Sequence, residues 1–283
     1  MKKILILGAA GMAGHVIYSY LKAKEGYKVF GTINTEAFDD IKLKIDISHI
    51  DQIYNAIKDI QPDVVINCIG MLIRSSKKHP DKTIYANAYF PHYLAKLSTE
   101  FSFKLIHIST DCVFSGKSGS YTEDSFKDAT DVYGLSKSLG EIDDTHNLTI
   151  RTSIIGPEIK KDGEGLFHWF LNQKGEISGY KSNFWSGITT LELAKFINWE
   201  LKNPKTGIIH LTNNQKISKF ELLTLIKEVH HMDITINADK DYICDKSFLN
   251  TKIAEYQVGS YENMLREQNE FIEKNSFLYS YLF

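Results

Sequence analysis

Short apolar runs alternate with helix-length amphipathic stretches through the first half of the chain. Residues 3–7 (KILIL) form the first run, and 27–32, 43–45, 63–68, 104–109 and 148–152 follow it. Each is too short for a buried helix and predicts a strand. Apolar positions recur at helical spacing over 50–60, 83–100 and 131–144. A strand that returns parallel to its predecessor needs a crossover of about a dozen residues, which these stretches supply. The run Val64-Val-Ile-Asn-Cys68 does not alternate polar with apolar, so it suits a strand covered on both faces. The longest apolar stretch, 64–73, is expected to be such a strand.

After about residue 155 the rhythm loosens. Residues 156–165 (GPEIKKDGEG) read as a loop, and helices are expected over 166–173, 190–202, 218–230 and 260–275, with short strands between them. Residues 207–212 predict one more strand returning to the main sheet. The expected division is a nucleotide-binding unit over 1–155 and a smaller, mainly substrate-binding α/β region over 156–283. No internal repeat or low-complexity segment is visible.

With 283 residues, 43% hydrophobic and 24% charged, the chain has the composition of a globular α/β protein. A net charge of −2 argues against a nucleic-acid partner, so an anionic small substrate would have to meet a few local basic groups. The three cysteines, Cys68, Cys112 and Cys244, are odd in number and lack CxxC spacing, which predicts neither a disulfide framework nor a metal site and suits the cytoplasm. Met1-Lys-Lys ahead of an apolar stretch imitates a secretory signal, but the stretch is too short and is needed as the first strand. No run reaches the ~18 apolar residues of a membrane span.

Two groups of residues carry chemistry. Gly8, Gly11 and Gly14 lie between the first strand and a helical stretch, where glycines let the backbone turn, approach a pyrophosphate and pack the helix on the strand. This points to a Rossmann-type, doubly wound parallel sheet. Tyr133 and Lys137 are four residues apart on a predicted helix and so share one face. A phenol with a pKa of about 10 becomes a usable acid or base when a neighbouring cation favours its phenolate, so Lys137 is expected to lower Tyr133. In an open parallel sheet the residues just past each strand line the site. Those residues include Asn67-Cys-Ile-Gly70 and Ser109-Thr110-Asp111, with a hydroxyl placed to share a substrate carbonyl with Tyr133.

Taken in order, GxxGxxG at 8–14, Asn67-Cys-Ile-Gly70, the run 107–116 (HISTDCVFSG), Tyr121-Thr-Glu-Asp124, the run 133–141 (YGLSKSLGE) and Ile150-Arg-Thr-Ser153 resemble the extended short-chain dehydrogenase/reductases, and among them the dTDP-4-dehydrorhamnose reductase type. The resemblance is strong over about 155 residues and thins to Gly187-Ile-Thr-Thr190 beyond. It implies Thr110, Tyr133 and Lys137 as the catalytic set. It implies a dinucleotide held by Gly8, Gly11, Met12 and Gly14 at the pyrophosphate and by Asp46 and Ile47 at the adenine. Cys68, Ile69 and Gly70 would meet the adjoining ribose, with Thr32, Asn34, Asn87, Ser109, Tyr133 and Lys137 completing the cofactor set. Arg74, Cys112, Val113, Phe114, Arg151, Phe184, Trp185 and Ser186 are the implied substrate residues.

Cys112 stands where many family members have Tyr and related dehydratases have Glu, which argues against dehydration and leaves the sugar open. Strand two ends in Gly31-Thr-Ile-Asn-Thr35 with no carboxylate for a ribose 2′-hydroxyl, favouring NADP(H) over NAD(H), although no Arg is there for the 2′-phosphate. The expected activity is NADPH-dependent reduction of a nucleotide-linked 4-keto-6-deoxy sugar, of the UDP-N-acetylhexosamine or dTDP-rhamnose series, for surface polysaccharide. The rivals are an epimerase with tightly bound NAD and a catalytically silent NADP-binding subunit. By the same resemblance, the helices at 83–100 and 131–144 imply a homodimer.

Overall fold

The structure is a computed structural model that describes residues 1–34, 40–41 and 43–279. Thr35, at the end of the strand-two segment, lies outside the described residues. The first half comprises β1 (Lys2–Leu7), α1 (Met12–Lys22), β2 (Tyr27–Ile33), β3 (Leu43–Lys44), α2 (Ile50–Ile60), β4 (Val64–Asn67), α3 (Ile73–Lys78), α4 (Pro80–Ile84), α5 (Phe90–Phe101), β5 (Lys104–Thr110), α6 (Val132–Leu139) and β6 (Leu148–Thr152). The second half adds β7 (Ile154–Ile155), α7 (Leu166–Leu171), β8 (Gly175–Tyr180), β9 (Asn183–Trp185), β10 (Ile188–Thr189), α8 (Thr190–Glu200), β11 (Gly207–His210), β12 (Ile217–Ser218), α9 (Lys219–Val229), β13 (Ile234–Asp239), β14 (Cys244–Asp245) and α10 (Tyr261–Lys274).

Seven parallel strands form the central sheet in the order β11-β6-β5-β4-β1-β2-β3. The strand near 207 therefore returns to the main sheet as expected, although it ends at His210. Successive strand residues face opposite ways, and β1 feeds two cores accordingly. Ile4 and Ile6 join Val16, Ile17 and Leu21 of α1 and Leu193, Phe196 and Ile197 of α8 on one face. Leu5 and Leu7 join Ile53 and Ile57 of α2 and Phe90, Leu94 and Leu97 of α5 on the other. Burial of such side chains, at about 1.5–3 kcal/mol each, is what holds helices on both faces. The expected doubly wound Rossmann-type α/β fold is the one observed.

Three elements differ from the sequence pattern. The 64–73 run is a strand only to Asn67 and then turns across the sheet edge, with Ile73 already helical. The 83–100 helix starts at Pro80 and passes through a π-helical turn, Tyr85–Tyr89. Pro91 follows that turn and has no N–H to offer the Asn87 carbonyl four residues back, so the ladder widens and the Phe90 N–H reaches the Tyr85 carbonyl. The 131–144 helix stops at Leu139, and the Gly140 that follows lies so close to the Asn87 carbonyl that an added Cβ would sit 1.9 Å from its oxygen. In the second half, β12, β9 and β14 form a small sheet, and β8 pairs with β13. No helix among the described residues is long and apolar enough to cross a membrane.

Candidate active site

The sheet's strand order reverses between β1 and β4, and the glycine loop and Cys68-Ile-Gly70 meet there, outside the carboxyl ends of the strands. Gly8 has φ of +78°, which a side-chain-bearing residue rarely adopts. A Cβ on Gly14 would lie 2.1 Å from the Gly8 carbonyl oxygen, so only glycine lets α1 start this close to β1. No side chain caps that start, and the first turn of α1 has no acidic residue, so its N–H groups are left for an anion.

Two cavities open from this loop. The larger, about 930 Å³, is walled by Gly11, Met12, Cys68, Ile69, Gly70, Arg74, Ser109, Thr110, Cys112, Tyr133 and Lys137. The smaller, about 680 Å³, is walled by Gly8, Thr32, Asn34, Asp46, Ile47 and again Gly11 and Cys68-Ile-Gly70. Their shared walls make one groove running from the β2 end, across the glycine loop, to Tyr133. Such a groove fits a dinucleotide.

At its far end β5 delivers Thr110 and α6 delivers Tyr133. The Thr110 hydroxyl donates to Asp111 Oδ1 at 3.1 Å and accepts the Cys112 N–H at 3.1 Å, which fixes its position. Asp131 caps α6 by accepting the Gly134 N–H at 3.0 Å. Gly134 is required here, since a Cβ would meet the Cys112 carbonyl oxygen at 2.3 Å.

Burial pushes the Tyr133 phenol above its ordinary value, while the Thr110 hydroxyl beside it works the other way. The Lys137 ammonium, 5% exposed, donates to the Ile108 carbonyl at 2.7 Å, and burial lowers its pKa to about 8. The expected lowering of Tyr133 is therefore not met. Loss of hydration at the hydroxyl, with the nearby Cys112 acting in the same sense, outweighs the Thr110 hydrogen bond.

Other predicted residues have different places. Gly14 acts through packing, and Asn87, fully buried, holds the strand-four exit by accepting the Met71 N–H at 2.8 Å and donating to the Met71 carbonyl at 3.0 Å. Arg151 is not offered to a substrate: it is 2% exposed and gripped by Glu141. Val113 and Phe114 are buried with Tyr121 and Phe248 in a separate apolar cluster. Trp185 and Ser186 are 3% and 1% exposed, and neither walls the large cavity. Phe184 is partly buried, with the Lys216 ammonium 4.4 Å from its ring centroid. Packing against sequence-distant elements buries these side chains, which the motif alone could not reveal.

Further residues line the groove or lie near it. The segment after β6 contributes Ser153, Ile154, Glu158 and Lys160 to the large cavity, as the strand-end rule would have suggested. Lys82 and Lys160 wall the smaller cavity. Lys219, at the start of α9, and Lys246, just past β14, come from sequence-distant elements joined through β9. The Lys219 ammonium lies 5.1 Å from the Trp185 ring centroid. Burial lowers Lys219 to about 8 against the pull of Asp111, whereas Cys112 and Asp111 hold Lys246 above its usual value despite burial. Neither makes an ion pair among the described residues. Burial, reinforced by Asp111, pushes the Cys112 thiol up to about 12, so it stays neutral.

Residues 1–242 match the family model described as the RmlD substrate binding domain. The chain belongs to that family. Over 244 residues it is 29% identical to the spore coat polysaccharide biosynthesis protein SpsK of Bacillus subtilis, covering 83% of this chain and 82% of that one. Over 143 residues it is 30% identical to the dTDP-4-dehydrorhamnose reductase of Aggregatibacter actinomycetemcomitans, covering 50% of this chain and 46% of the relative. It is also 24% identical to the methionine adenosyltransferase 2 subunit beta of Xenopus tropicalis, over 82% and 73% of the two chains. Among solved structures, the dTDP-4-dehydrorhamnose reductase of Bacillus anthracis in complex with NADP superposes with a TM-score of 0.80 at 24% identity, over 96% and 99% of the chains. The similarity to dehydrorhamnose reductases expected from the strand-end motifs thus holds across the fold.

Proposed function

We propose that the protein reduces the 4-keto group of a nucleotide-linked 6-deoxy sugar with NADPH, in the cytoplasm and for surface polysaccharide. The single observation that carries this reading is that Thr110 and Tyr133 wall the same groove as the uncapped start of α1. Lys82 and Lys160 at the adenosine end supply positive charge for a 2′-phosphate, beside the carboxylates Asp46 and Asp81. Gly8, Gly11 and the first turn of α1 would hold the pyrophosphate, and Cys68-Ile-Gly70 the neighbouring ribose. The reduced nicotinamide supplies the hydride when bound.

The protein's own part is the proton and the oxygen. Tyr133 is neutral at physiological pH, because enclosure raises its pKa, so it carries the proton that the ketone oxygen takes up. Thr110 orients that oxygen, and Lys137 stabilises the phenolate once the proton has left. In this reading residues 1–155 hold mainly the cofactor and 156–283 mainly the sugar nucleotide. Lys219 and Lys246, both within electrostatic reach of Asp111 and Cys112, take the substrate's anionic oxygens in place of Arg151. A homodimer through the helices expected at 83–100 and 131–144 is part of the same reading, with Tyr89 of the π-helical turn and Leu135 and Leu139 of α6 exposed.

The test is a panel of 4-keto sugar nucleotides made in situ with dehydratases, followed at the absorbance of reduced nicotinamide. Oxidation with at least one thymidine- or uridine-linked substrate is expected. NADP binding without oxidation on any of them would instead favour a silent binding subunit, and a retained oxidised cofactor would favour an epimerase.

A further inference from the structure

His107 lies on β5 behind Lys137, and the mechanism proposed above leaves it unused. It is fully buried, as is Asn67 at the end of β4. The Ile69 N–H donates to Asn67 Oδ1 at 3.1 Å, and a backbone N–H can only donate, so the orientation of the Asn67 amide is fixed. The amide nitrogen Nδ2 then faces His107 Nδ1 at 3.1 Å and must donate to it. A neutral imidazole whose Nδ1 accepts carries its proton on Nε2. The ring is neutral, since burial and then the Lys137 charge drive its pKa well below the ordinary value.

That Nε2–H faces Lys137 Nζ at 3.5 Å. An ammonium has three donors and no acceptor, so it meets the imidazole donor head-on, whereas a free amine can accept from it. The other ionisable groups around Lys137 pull in the opposite sense: Glu141 past the end of α6 and Cys68 past β4 both favour the ammonium. His92 of α5 acts on His107 from outside and also disfavours its charge.

We propose that His107 is a positioning residue which presents an Nε2–H, fixed by Asn67, to the Lys137 nitrogen and so loosens Lys137's hold on its third proton. Burial and this donor act together against Glu141 and Cys68. The tautomer itself follows from hydrogen-bond geometry and does not depend on the reductase reading. Only its kinetic consequence rests on that reading.

The experiment is nitrogen-15 NMR of the full chain without substrate. His107, assigned by its loss in H107Q, is expected to show a protonated, pyrrole-like Nε2 and an unprotonated, pyridine-like Nδ1. Asn67→Asp keeps the acceptor for the Ile69 N–H but turns the group facing Nδ1 into an acceptor. The tautomer should invert, and Lys137, followed through its carbon-13-labelled ε-methylene, should titrate about one pH unit higher, a tenfold stronger hold on its proton. His107→Gln offers an acceptor to Lys137 without new charge and should move the titration the same way. A wild-type Nδ1–H tautomer overturns the proposal. So does an upward shift in Asn67→Asp alone, which assigns the effect to added charge. If the reductase reading fails, these titrations still decide the matter; if it holds, the pH limb of turnover moves with them.

Discussion

Arg151 grips Glu141 in the interior through two hydrogen bonds, Nε to Oε1 at 2.7 Å and Nη2 to Oε2 at 2.8 Å. The same carboxylate accepts the Ser109 hydroxyl at 2.7 Å and the Lys127 ammonium at 3.1 Å. One charge cluster thus ties β6 to the end of β5 and to the segment leaving α6, the two elements that set Thr110 against Tyr133. Burial favours the neutral acid, but the Arg151 guanidinium holds the Glu141 carboxyl below its usual range.

Removing Arg151 leaves the buried Glu141 carboxylate with only the partly exposed Lys127 as a counter-charge. Arg151→Leu should lower unfolding free energy by about 3–5 kcal/mol. Urea denaturation followed by far-UV circular dichroism measures it, and a loss below about 1 kcal/mol would place the pair among those of little net value.

Gly14→Ala should close the nucleotide cradle, because the new methyl would fall 2.1 Å from the Gly8 carbonyl oxygen and push α1 off β1. At least a tenfold loss of NADP(H) affinity, about 1.4 kcal/mol, is expected by fluorescence titration. Unchanged affinity would mean that the loop does not carry the phosphates.

Acid should destabilise the fold before the carboxylates titrate. His15 and His210 are 0% and 1% exposed, and burial lowers each to about 4 from 6.5. His210 Nδ1–H donates to the Leu249 carbonyl at 2.9 Å, so its Nε2 accepts from Arg151 at 3.3 Å and a proton there would oppose the guanidinium. Between pH 6.5 and 4 the unfolded chain binds more protons than the folded one, so stability falls as pH falls, by up to about 3 kcal/mol for each histidine. Above pH 6.5 these groups contribute no slope. Thermal unfolding across pH 4–8 checks the window.

If Lys219 and Lys246 hold the substrate's anionic oxygens, Lys219→Ala and Lys246→Ala should each raise KM for the sugar nucleotide about tenfold. The change in kcat should be smaller, and NADPH affinity should not change. Steady-state kinetics at two salt concentrations would show it, the wild-type KM rising more steeply with salt than that of either variant.

Much of this was legible in the sequence, and the reasons are local. Residues 3–14 state strand, glycine turn and helix in consecutive letters, and Tyr133 and Lys137 need only helical spacing to meet. What the letters could not state was three-dimensional. Arg151 looked available to the substrate until the fold put Glu141 beside it, and so did Trp185 until β9 carried it into the core. Lys219 and Lys246 are 27 positions apart in the chain. The pairing of β12, β9 and β14 brings the elements that carry them together.

The central claim is that Tyr133 gives up the proton at the end of a dinucleotide groove. Single-turnover oxidation of NADPH by wild type and Tyr133→Phe, on the 4-keto sugar nucleotide found in the panel, tests it most directly. The variant is expected to be slower by about 10²–10⁴-fold while its NADPH dissociation constant stays within about threefold. A Tyr133→Phe variant that turns over at the wild-type rate would contradict the account.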